Sequence, residues 1–186
     1  SLPRIESIQL SPSGRHMAVL RNHEGQTFLE TQTVTGQDAH PVVSTDNREY
    51  IITWFRWVND ERLLVSIRFA ATREATDTIE TRLLAVNRDG TEQTANLFKQ
   101  SAFASMFGRK HFPRFHDQLV GTIPGDPRHV LLALDLEHPD APDVYKVDVY
   151  SGERQLVEEN PSSKPDASAI SQWIADRAGV VRAGVG

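Results

Sequence analysis

A strand, turn, strand unit returns four times along this chain, and no other feature constrains the fold as much. The copies are Ile8 to Leu20 around Ser11-Pro12-Ser13-Gly14, Phe55 to Val65 around Asn59-Asp60, Leu119 to Leu132 around Pro124-Gly125-Asp126-Pro127, and Gln172 to Arg182 around Asp176-Arg177-Ala178-Gly179. The last copy is cut off by the C-terminus. One such unit cannot bury its own apolar face, so copies must stack on one another.

A second turn follows each of the first three copies in the same phase, at Thr35-Gly36, Asp89-Gly90 and Ser151-Gly152, each closing a further strand: Phe28 to Val34, Arg82 to Asn87 and Val144 to Tyr150. Beyond each glycine comes a fourth short stretch, around Pro41-Val42-Val43, Thr94 to Phe98 and Gln155-Leu156-Val157. Four antiparallel strands per repeat describe the blade of a β-propeller. The expected fold is therefore all-β, a partial propeller of about three and a half four-stranded blades in one incomplete domain, 1–186. Blade 1 is expected at about 5–45, blade 2 at 50–99, blade 3 at 117–160 and a partial blade 4 at 168–186.

Within blade 3, Tyr145, Val147 and Val149 alternate with Lys146 and Asp148, the period of a strand with one drier face. Taking Leu10, Trp57, Ile123 and Trp173 as equivalent spaces the repeats by 47, 66 and 50 residues, so the middle one holds an insertion. It falls at about 100–116, where Phe103, Met106, Phe107, Phe112 and Phe115 show no strand period; these aromatics are expected to pack on the blades. Ala70 to Thr78 reads as an exposed, irregular hairpin tip. Pro161-Ser162-Ser163-Lys164-Pro165 reads as the connection into the fourth unit.

Composition excludes several functions. The 20 basic residues are scattered among 25 acidic ones for a formal charge of -5, which is no footprint for nucleic acid. The absence of cysteine removes disulfides, thiolate metal sites and a cysteine nucleophile. Apolar runs such as Val130 to Leu134 fall far short of the roughly 18 residues that span a bilayer. The start at Ser1, without methionine or leader, fits a trimmed or processed chain. A periplasmic or secreted setting is favoured over a cytoplasmic one.

No constellation of chemistry stands out, and the sequence is expected to hold no catalytic, cofactor-binding or metal site. No serine has glycine two before and two after it, as a nucleophile elbow requires. His111 and His116 lack further ligands at a useful spacing. Asp135, Glu137, Asp140 and Asp143 lack the ligand spacing of a calcium loop and read as a solvated hairpin loop. Glu158 and Glu159, which could attract an amine, point to opposite faces of a strand and read as a solvated blade end. Trp57 and Trp173 occupy matching places and read as blade packing. Arg15-His16 and Arg128-His129 also recur in phase and read as turn geometry.

The chain resembles the N-terminal propeller segment of prolyl oligopeptidase family serine peptidases, the group of dipeptidyl and acylaminoacyl peptidases. The resemblance is carried by Leu10-Ser11-Pro12-Ser13-Gly14-Arg15 with Met17-Ala18-Val19, by Trp57 to Val65, by Asp126 to Leu132, by Val144 to Gly152 and by Trp173 to Arg182. A Ser-Pro-x-Gly turn before an apolar strand is shared by other propellers, including the periplasmic one of the Tol system. The resemblance implies a noncatalytic segment that docks on an α/β-hydrolase domain missing from this chain and gates peptide substrates. The alternative is a Tol-like interaction scaffold with no enzymatic parent. An unclosed propeller leaving roughly 400 Å² of apolar surface bare forgoes about 10 kcal/mol of burial. Self-association through the unpaired edge Val180 to Val185 is therefore expected.

Overall fold

The computed structural model describes residues 4–94, 97, 112–163 and 170–186. All regular structure among them is β, apart from one 3-10 turn at Pro161–Ser163. Among the described residues no helix is long and apolar enough to cross a membrane. Among the described residues thirteen strands form four antiparallel sheets. The chain divides into two compact units, Ser1–Asn96 and Leu97–Gly186.

In the first unit, β1 (Arg4–Leu10), β2 (His16–His23), β3 (Gln26–Thr33) and β4 (His40–Thr45) make sheet I, a four-stranded meander in chain order. Sheet II follows as β5 (Ile51–Trp57), β6 (Arg62–Arg73) and β7 (Thr76–Asn87), with Thr94 bridged to Ala85 where a fourth strand was expected. The rest of that expected stretch, at 95, 96 and 98, lies outside the described residues. Ala18, Leu20, Leu29 and Val42 of sheet I pack with Ile52, Phe55, Trp57, Leu63, Val65, Leu84 and Val86 of sheet II into one core. The two ladders share a detail: the register slips at Glu6 in β1 and at Thr53 in β5, the same place in both copies. A bulge twists its strand locally, and repeating it keeps the two sheets parallel in shape.

In the second unit, β8 (Gln118–Thr122), β9 (His129–Leu134), β10 (Asp143–Asp148) and β11 (Arg154–Glu158) make sheet III, again a meander. β12 (Gln172–Ala175) and β13 (Val181–Val185) pair as sheet IV. Trp173, Ala175 and Val181 lay one face of sheet IV on Val120, Ile123, Leu131, Ala133 and Val144. Gly179, at φ 74, fits there because its α-carbon approaches Ile123; a Cβ would meet the Ile123 α-carbon at 3.2 Å.

Several expectations need correction. Ala70 to Thr78 is not irregular: β6 and β7 stay paired rung by rung to Arg73 and Thr76, and only Glu74 and Ala75, both at positive φ, make the turn. β10 has no single dry face, because Val144, Tyr145, Val147 and also Asp143 and Asp148 are buried; it is an inner strand whose polar groups are satisfied by turns. The hairpin-closing pairs are Leu10 with Met17, Trp57 with Leu63, Thr122 with Val130 and Ala175 with Val181. Trp173 therefore corresponds to Phe55, not to Trp57, and Thr122 replaces Ile123. Anchoring on tryptophan misplaced the register by two residues, which preserves the sheet face and so the hydrophobic pattern.

Candidate functional site

The polar side chains gather at the turns. In sheet I the first turn is closed by Ser11 N–H to His16 O at 2.9 Å and Gly14 N–H to Ser11 O at 2.8 Å. In the next three sheets one side-chain oxygen does similar work. Asn59 Oδ1 accepts the N–H groups of Glu61 and Arg62, both at 2.8 Å. Asp126 Oδ1 accepts those of Arg128 and His129 at 3.1 and 3.2 Å, and Asp176 Oδ1 those of Ala178 and Val180 at 2.8 and 3.0 Å. Asx side chains suit this because their carbonyl reaches the backbone two residues on.

The second turns repeat as closely. Gly36 donates to Thr33 O, Gly90 to Asn87 O and Gly152 to Asp148 O, at 2.9 Å in each case. The residue after each acceptor then reaches across to the first turn of its own sheet. Val34 N–H bonds Arg15 O at 3.1 Å, Arg88 N–H bonds Glu61 O at 2.9 Å, and Val149 N–H bonds Arg128 O at 3.0 Å. This places Arg15 and Arg128 in phase, as expected, and adds Glu61 as their counterpart.

Charged groups brace the same turns. Asp60 accepts Ser13 N–H at 3.0 Å and pairs with Arg15 at 3.3 Å, linking the first turns of sheets I and II. The Ser13 N–H, with the Ser11 and Ser13 hydroxyls and Arg15, holds its carboxyl far below the usual range despite partial desolvation. Arg88 bridges Glu61 at 2.8 Å and Asp38 at 3.1 Å, and Asp38 meets His40 at 2.9 Å. In the second unit Asp126 joins Lys146 at 2.8 Å and His129 at 2.9 Å, with Lys146 the main cause of its lowered pKa. Arg128 bonds Asp148 at 2.5 Å and lies over the Tyr150 ring at 5.1 Å.

His40 and His129 are each held by a carboxylate, yet neither bonds a serine or threonine hydroxyl. Among the described residues no group of three His, Asp or Glu side chains could hold a metal ion. His116 is buried against Phe112, ring centroids 4.8 Å apart, while His111, Phe103, Met106 and Phe107 lie outside the described residues. Phe115 is 40% exposed under Arg114. Glu158 and Glu159 are exposed beyond Leu156 and Val157, as expected of a solvated end.

Asp143 departs from the solvated loop that Glu137 and Asp140 do form. It is buried and accepts Asn160 N–H at 2.7 Å. Asn160, fully buried, donates to Pro142 O at 3.1 Å and Ile170 O at 2.7 Å and accepts Ile170 N–H at 3.1 Å. The Trp173 indole N–H also reaches Pro142 O, at 2.6 Å. This lock joins sheets III and IV, and sequence reasoning passed over it. Tyr145, beside Asp143, has its hydroxyl pushed up to about 12 by burial and by that carboxylate.

Two apolar faces remain bare. On sheet I, Ile5, Ile8 and Leu10 are 53%, 53% and 60% exposed, on the face opposite to Leu20 and Leu29. On sheet IV, Ile174 and Val185 are about half exposed, on the face opposite to Trp173. Both faces hold apolar side chains in water.

No protein-family model matches this chain, and a search of the curated proteins finds no match.

Proposed function

We propose that this chain is a noncatalytic propeller segment of a serine peptidase of the prolyl oligopeptidase type, docking on an α/β-hydrolase domain and gating the entry of peptides. The observation that carries the reading is the clasp repeated in three sheets, Val34 to Arg15, Arg88 to Glu61 and Val149 to Arg128. Like sheets with like turn bonding are what blades in series require. The bare faces around Ile8 and Ile174 support it too, since each blade of a closed propeller is covered by its neighbour. The Ser-Pro-x-Gly and Tyr-x-Val-Asp turn motifs give the peptidase resemblance its content.

In this role the segment works by steric selection and supplies no nucleophile. A fluorophosphonate serine probe is expected to leave the chain unlabelled, and stoichiometric labelling would overturn the assignment. The reading frame beyond Gly186 tests the parent: further units followed by Gly-x-Ser-x-Gly support a peptidase. Further units ending in a stop codon without that elbow favour the interaction scaffold instead.

A further inference from the structure

β6 and β7 are 12 residues each, whereas β5 pairs with β6 only as far as Ile51 with Arg68. The rungs from Phe69–Glu80 to Arg73–Thr76 therefore project past the sheet as a two-stranded arm. A bare two-stranded ribbon is marginal in water, and this one is braced on one face. Glu80, 2% exposed, is held between Arg73 and Arg82, whose guanidinium lies 5.1 Å over the Phe69 ring. On the opposite face the Thr72 hydroxyl donates to Asp77 Oδ1 at 3.2 Å, and the side chains follow a charge order. Arg68 stands at the base, the Ala70–Ile79 rung in the middle, and Asp77 beside Thr72 at the tip. Ile79 is 52% exposed over a shallow hollow of about 330 Å³ that Ala70 and Thr72 also line. Arg68 is exposed and enters no ion pair among the described residues.

We infer that this face is where two copies of the chain associate, arm on arm and antiparallel about the Ala70–Ile79 rung. Charge complementarity selects a second copy as the occupant. A two-fold axis at that rung brings basic base to acidic tip twice, Arg68 of each copy beside Asp77 of the other, and sets the two Ile79 side chains together over the small Ala70 side chains. The patch is well below the ~800 Å² per partner of a standard interface, so the dimer is weak and dilutes apart.

The test uses the whole chain without added ligand: sedimentation equilibrium over a wide concentration range. The wild type is expected to dimerise at high concentration. Asp77→Arg alone and Arg68→Asp alone should each weaken dimerisation more than tenfold. An equimolar mixture of the two variants should regain it, because their charges are again complementary at both contacts. Ile79→Cys, in a chain without cysteine, should be joined to its mate by a short bismaleimide, and this readout does not depend on the charge variants folding. A wild type that stays monomeric, a dimer untouched by both single variants, a mixture that fails while each variant unfolds like the wild type, or an Ile79→Cys chain that does not cross-link would each overturn the proposal.

Discussion

Val149 donates its backbone N–H to the carbonyl of Arg128 at 3.0 Å, tying the two turns at one end of sheet III together. Both groups are main chain, so the bond survives side-chain divergence at either position. Valine, arginine and valine serve as donors in the three copies, and arginine, glutamate and arginine as acceptors. Position in the turn, not residue type, is what repeats.

The turn glycines are not equivalent in cost. A Cβ at Gly90 would sit 2.6 Å from Pro41 O, whereas one at Gly14 would meet nothing within 4 Å; both residues have positive φ. Gly14→Ala is expected to cost about 1 kcal/mol from backbone strain alone. Gly90→Ala should cost at least twice as much, because Pro41 backbone must move. Urea unfolding of the two variants checks the order.

Asn160→Ala should destabilise the chain by about 3 kcal/mol, because Ile170 loses partners for both its carbonyl and its N–H and the Pro142 carbonyl keeps only the Trp173 indole. Asn160→Asp is expected to be no better, since a carboxylate cannot donate to those carbonyls and would face Asp143 besides. A rescue by aspartate in thermal unfolding would show that size, not donation, is what the position needs.

Glu80 predicts an acid response. Its pKa is lowered from 4.5 to about 2, first by the Arg73 hydrogen bond and then by Arg82, against the cost of burial. A depressed pKa means the stabilisation is full above 4.5 and is lost as pH falls toward 2. Glu80→Gln should cost about 3 kcal/mol at neutral pH by removing the negative charge that Arg73 and Arg82 share. It should also flatten the stability profile between pH 4.5 and 2, measured by denaturant titration at each pH.

Removing the turn carbonyl of Asn59 tests the Asx device. Asn59→Ala frees the N–H groups of Glu61 and Arg62 and should cost about 1 kcal/mol, whereas Asn59→Asp, which keeps the acceptor, should cost less. Equal losses in chemical denaturation would count against the hydrogen bonds as the cause.

Strand order and turn placement were legible because glycine and Asx residues punctuate the chain in phase with the apolar runs. Ser11 to Gly14 and Asp148 to Gly152 mark their turns in sequence as they do in the sheets. Side-chain depth was not legible. Arg62 reads as one more surface charge, yet it is 1% exposed, its guanidinium bonding Asn87 Oδ1 at 2.9 Å and Glu92 O at 2.8 Å. Its place at the head of β6, where His16 and His129 stand in other copies, was the available signal. The paired length of β6 and β7 was hidden because Thr72, Thr76 and Thr78 look polar enough for a loop, while ion pairing with Glu80 holds them in register. Asn160 gave no periodic signal at all, since its partners are carbonyls of Pro142 and Ile170 that no pattern of side chains announces.

Sheets I, II and III each order their strands as the chain runs, with no crossover. During synthesis, each ladder can close as soon as its last strand leaves the ribosome, without waiting for distant sequence. A chain built this way can fold vectorially, and the most exposed moment of its first unit is the interval in which finished sheet I waits for sheet II to cover it.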